Sequence, residues 1–146
     1  MQGRLDLLDL LSALSTAEGY WVAGTPPHED NNPGDLRFAG QVGAVKSKHG
    51  TPPFAHFDCL GRGIANNLRQ ILKRVAEGHA VPGKPWQPMT LRILLTDPEI
   101  GWAPAADGNN APLYLREAIR RVKAFSGLEI DPDKPLWDYL IIERIP

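Results

Sequence analysis

The stretch from Arg62 to Glu77 constrains the chain most. It holds no proline, and Ile64, Leu68, Ile71, Leu72 and Val75 recur at helical spacing, so it must form an amphipathic helix with one apolar face. Gly78 follows where a C-terminal cap belongs. Elsewhere 14 glycines and 14 prolines punctuate the chain, which keeps the remaining elements short.

Two further helices are legible. Leu7, Leu10, Leu11 and Leu14 share one face of a segment from Arg4 to Ala17, with Gly19 as its stop. The other opens at Pro112, continues through Leu115, Ala118, Ile119, Val122 and Phe125, and closes at Gly127. Strands are expected over 20–23, 36–45, 54–60, 89–95 and 136–145, the second of them bulged at Gly40 and Gly43. The Lys/Gly/Pro-rich turn between the second and third makes those two a hairpin. The prolines and asparagines between Gly24 and Gly34 read as an irregular exposed loop. The expected fold is therefore α+β, a single domain spanning 1–146, with a mainly antiparallel sheet or partly open barrel of about five strands under three helices.

Composition sets the class. Hydrophobic residues at 42% and charged residues at 23% fit a chain that buries one core, which excludes disorder. The longest apolar run, near Leu140 to Ile142, is far shorter than the ~18 residues a membrane span requires, so no membrane partner is expected. Cys59 is the one cysteine and has no partner for an internal disulfide, which suits a reducing, cytoplasmic compartment.

The densest reactive cluster is His56, Asp58 and Cys59. On a strand His56 and Asp58 share one face and Cys59 takes the other, so a cysteine nucleophile activated by His56 is disfavoured and Cys59 reads as a buried structural residue. His56 with Asp58 is the candidate acid–base pair. His28-Glu29-Asp30 forms a second polar cluster that reads as solvated turn, and His49 and His79 lie in turns. Asp131 and Asp133 flank Pro132 as turn residues. Neither cluster supplies three or four ligands at metal spacing, and no phosphate loop or glycine-rich nucleotide turn is present, so no metal and no cofactor are expected.

A net charge of -1 conceals local polarity. Arg62, Asn66, Arg69 and Lys73 line up opposite the apolar face of their helix, and Arg116, Arg120 and Lys123 do the same on the last one. A solvated helix face accounts for such a pattern; so does a surface for phosphates or for an acidic protein, with Lys46, Lys48, Trp86 and Trp102 as further contacts.

Residues 37–72 resemble, over about a quarter of the chain, the single-stranded-DNA-binding proteins built on the OB fold. The matching features are Gly40-Gln41-Val42-Gly43-Ala44-Val45, a Lys/Gly turn, Phe57-Asp58-Cys59-Leu60-Gly61, and a helix with Ala65 and Leu68. The resemblance implies an aromatic-lined groove on a small barrel, with Phe38, Phe54 and Trp86 in it. The family has a further strand before that helix, and the last helix and terminal strand here have no counterpart.

These readings lead to three functional expectations. The first is a non-enzymatic protein whose basic helix faces engage nucleic acid, preferably single-stranded, or an acidic protein surface. The second is a protein-interaction module or small inhibitor, such as an accessory or counter-defence factor of a mobile element. The third is a small enzyme using His56 and Asp58. A homo-oligomer is compatible with all three.

Overall fold

The computed structural model describes residues 4–18, 21–102 and 110–140. In chain order it contains α1 (Leu7–Ala17), α2 (Pro26–Glu29), β1 (Ala44–Lys46), β2 (Ala55–Phe57), α3 (Leu60–Glu77), α4 (Leu91–Thr96), α5 (Ala111–Ser126) and a 3-10 turn at Leu136–Asp138. The chain divides into two compact units: Leu11–Ile71, and Met1–Leu10 with Leu72–Pro146. They are called here the hairpin unit and the helical unit.

The α+β class holds, but the sheet does not match expectation. Among the described residues it has two strands, β1 and β2, paired antiparallel with Val45 opposite His56, and there is no barrel. The expected hairpin is present, reduced to its middle. Gly40 and Gly43 both adopt positive φ, which turns the 36–45 segment away from a partner, and only the bridge between Arg37 and Phe54 survives from its first half. The expected strand over 89–95 is the helix α4. Thr90 caps it by accepting from the Ile93 N–H, and Leu91, Leu94 and Leu95 bury at i, i+3 and i+4, a pattern that a short apolar run cannot distinguish from a strand. In place of a strand over 136–145 stands the 3-10 turn; residues 141–146 lie outside the described residues. Trp21 to Gly24 is turn and bend, and Tyr20, like Gly19, lies outside them.

The three long helices stand where their apolar spacing puts them, at Leu7–Ala17, Leu60–Glu77 and Ala111–Ser126. Gly127 ends α5 in the left-handed conformation expected of it. The loop at Pro26 and Pro27 is partly helical, because proline fits the first turn of a helix and these two occupy it in α2.

Within the hairpin unit Leu11, Leu14, Phe57 and Ile71 are buried. In the helical unit α4 packs on α5, and Leu5, Met89, Leu91, Leu94, Leu95, Val122 and Leu136 are fully buried. No helix among the described residues is long and apolar enough to cross a membrane.

Candidate functional site

The hairpin unit brings together a group of polar side chains that lie far apart in sequence. Asn32 organises it. Its fully buried amide donates to the carbonyls of Leu36 and Ala55, and its oxygen accepts from the Leu36 N–H and from Asn67 of α3. Asn31 donates to the Phe57 carbonyl. Gly63 of α3 lies directly against the same loop: a Cβ there would stand 1.7 Å from the Asn31 carbonyl oxygen, so only glycine allows the approach. Asn31 and Asp35 both take positive φ, a conformation that short polar side chains tolerate.

This anchoring sets Asp30 against the hairpin. The Asp30 N–H donates to the Pro26 carbonyl, and its own carbonyl accepts from the Phe57 N–H. The side chain is 3% exposed, and its carboxylate accepts from the Ser47 hydroxyl at 2.8 Å and 2.7 Å, one contact to each oxygen. It also accepts from Nδ1 of His56 at 3.0 Å. Ser47 and His56 reach the same carboxylate because side chains two residues apart on a strand, and those directly opposite across a pair, share a face. The His56 side chain is 43% exposed, and with Nδ1 engaged by Asp30 its Nε2 is the ring nitrogen left for another molecule.

A second histidine extends the group. His49 donates from Nε2 to Glu29 at 2.7 Å, and its N–H donates to the Ser47 oxygen. The His49 hydrogen bond and the Lys48 ammonium at 3.6 Å hold the Glu29 carboxyl below its ordinary value. Asp35 behaves oppositely. Burial, reinforced by the negative charge of Asp30, pushes its pKa up to about 6, and its Oδ1 is buried without a hydrogen-bond partner among the described residues. Among the described residues no cluster of three or more histidine, cysteine or acidic side chains could hold a metal ion.

The expected pair of His56 with Asp58 does not form. Asp58 is exposed and takes Arg62 at 3.3 Å, one turn along, while the carboxylate on His56 comes from Asp30, in the cluster that had read as solvated turn. Sequence reasoning names Asp30 in the His28-Glu29-Asp30 cluster but not its partner, and misses Ser47 and Asp35, since contacts over such separations leave no local pattern. Cys59 is exposed, which corrects its reading as a buried residue. His79, expected in an ordinary turn, is buried in the helical unit. It donates from Nε2 to Asp97 at 2.9 Å and accepts at Nδ1 from Gln87 at 3.4 Å.

The basic residues are less available than their spacing suggested. Arg62 meets Asp58, Lys73 meets Glu77, Arg120 meets Glu117, Lys123 meets Glu129 and Lys48 meets Glu29. Those partners hold Glu117 and Glu129 below the usual carboxylate range. Lys46, Arg69 and Arg116 are exposed and form no close ion pair with a carboxylate among the described residues, although the Arg116 charge helps to lower Glu117. Trp86 is exposed and Trp102 half-buried.

Comparison with known protein families, with curated proteins and with solved structures finds no match.

Proposed function

We propose that the hairpin unit carries an acid–base site in which His56 transfers the proton and Asp30 positions it, so that the protein activates water or a hydroxyl for attack on an acyl or phosphoryl electrophile. This is the small-enzyme reading, with Asp30 in the place given to Asp58. One observation carries it: a buried carboxylate, fixed by Ser47 on both oxygens, holds Nδ1 of a histidine whose side chain is 43% exposed. A carboxylate at Nδ1 fixes the tautomer that leaves Nε2 as proton acceptor, and it stabilises the imidazolium once the proton has moved. A histidine serving only to tie the hairpin to its loop would not need a half-exposed ring.

In the proposed step Nε2 takes the proton of the attacking hydroxyl and returns it to the leaving group, while Asp30 keeps its hydrogen bond throughout.

The test is turnover on a panel of aryl esters and aryl phosphodiesters, with His56→Gln and Asp30→Asn beside the parent. Loss of about 100-fold or more in kcat for His56→Gln is expected, with folding checked by circular dichroism. Asp30→Asn should lose activity comparably while leaving KM nearly unchanged. Undiminished turnover in a folded His56→Gln would remove the proposal.

A further inference from the structure

The strand register fixes what stands beside His56. Val45 lies directly opposite it across the β1–β2 pair. Residues facing one another in an antiparallel pair project from the same side, with Cβ atoms about 4.5–5.5 Å apart, so the isopropyl group stands next to the imidazole. Both are open to solvent: Val45 is 61% exposed and the His56 side chain 43%. A valine so exposed contributes little to the core, which takes Ala55 and Phe57 from the other side of β2.

Charge separates acyl from phosphoryl electrophiles at this place. A phosphoryl group reacts where cations neutralise its oxygens. Lys46 follows Val45 on β1, and strand alternation sends its side chain to the side away from His56. Lys48 pairs with Glu29 at 3.6 Å, and Arg62 with Asp58 at 3.3 Å. The charged group that touches the imidazole is the Asp30 carboxylate, which forms no ion pair with a lysine or arginine among the described residues. An anionic ester brought to Nε2 therefore meets a fixed negative charge and an apolar side chain. A neutral carboxylic ester escapes the repulsion, and its hydrocarbon gains by covering the valine.

We infer, resting on the acid–base reading of His56, that the substrate is a neutral carboxylic ester with an apolar acyl chain, and that Val45 selects it. Water gives a proton to Nε2 as its oxygen bonds to the carbonyl carbon. The bond from that carbon to the alkoxy oxygen then breaks, and Nε2 returns the proton to the departing oxygen. The products are a carboxylic acid and an alcohol, and no other reactant is consumed. The acyl chain lies along Val45 throughout, so a longer chain covers more apolar surface.

The experiment measures kcat/KM for p-nitrophenyl acetate, butyrate and hexanoate, and for bis(p-nitrophenyl) phosphate, with the parent, Val45→Thr and His56→Gln. In the parent kcat/KM should rise about tenfold from acetate to hexanoate, less than full burial of the added methylenes would give because the valine is an open surface. Val45→Thr keeps the β-branched shape and exchanges one methyl for a hydroxyl at an exposed position, and should reduce that rise to about twofold. His56→Gln should lose turnover along the whole series, with the fold of both variants checked by circular dichroism. His56-dependent ester turnover with no rise along the series, a rise that Val45→Thr leaves intact, or turnover confined to the phosphodiester would overturn the assignment while the acid–base reading stands. Absence of His56-dependent turnover on every substrate would remove both.

Discussion

The His56–Asp30 pair of the hairpin unit and the His79–Asp97 pair of the helical unit are nearly equal in length, at 3.0 Å and 2.9 Å, and differ in what they leave exposed. In the hairpin unit the carboxylate is buried and the histidine half-exposed: Asp30 lies inside and His56 reaches out. In the helical unit both partners are buried, with side-chain exposures of 4% for His79 and 10% for Asp97. Both ring nitrogens of His79 are occupied, by Asp97 and Gln87, so nothing remains for another molecule. The distance between partners is therefore a poor guide to function. What distinguishes the pairs is whether the second nitrogen is spent.

Asp35, beside the first pair, and Asp97, within the second, shift in opposite directions. Asp35, raised to about 6 by burial and by Asp30, binds its proton more tightly in the folded chain than in the unfolded one. Its contribution to stability is fully present below the unfolded value near 3.8 and is lost as pH rises through about 6. Burial also acts to raise Asp97, but the N–H groups of Glu99 and Ile100 and the His79 hydrogen bond outweigh it and lower its pKa. That contribution is present above the unfolded value and is lost as pH falls through the lowered one.

The comparison can be broken or sharpened by substitution. The largest effect is expected at Gly63, where any side chain collides with the backbone of Asn31. Gly63→Ala should cost about 4 kcal/mol in urea unfolding, or prevent folding of the hairpin unit outright. Next come the histidines themselves. His79→Ala empties one side of a pair in which both partners are buried and should cost about 3 kcal/mol, whereas His56→Ala leaves the buried Asp30 carboxylate its Ser47 hydrogen bond and should cost less, about 1–2 kcal/mol. Equal losses at the two positions would erase the distinction drawn here.

A smaller effect belongs to Asp35→Asn, which keeps the shape and removes the charge. It should stabilise the protein by about 2 kcal/mol at pH 8, discounting for partial solvent screening, and by almost nothing near pH 4. Thermal unfolding across that range measures it, and a gain independent of pH would refute the assignment. Smallest is Gly61→Ala. This glycine lies in the same helical turn as Gly63, but a Cβ there meets nothing within 4 Å, so the substitution should add about 0.5–1 kcal/mol through helix propensity. Reaction with diethyl pyrocarbonate gives a direct chemical check on the pairs, since His56 should modify well before His79.

Much of the helical framework was legible from spacing alone. The apolar stripes of α1, α3 and α5 and the left-handed cap at Gly127 follow from local rules. The strands did not, because four or five apolar residues in a row satisfy either periodicity. At Leu91 to Leu95 the deciding contribution was the Thr90 cap. For the site, His56 was identifiable as a reactive group, but its partner was not. Asp58 is close in sequence, but β2 ends before it at Phe57 and Arg62 one helical turn away pairs with it. Asp30 comes from 26 residues upstream, and only the tertiary fold brings it there.

Asn32 has a kinetic consequence. Its amide ties together segments separated by 23 and 35 residues, so its bonds gain nothing until both β2 and α3 have arrived. Loop-closure entropy must be overcome before that reward is collected, which places this residue late on the folding route. Weakening it should hasten unfolding far more than it slows folding, and the hairpin with its histidine would be among the last parts of the molecule to become competent.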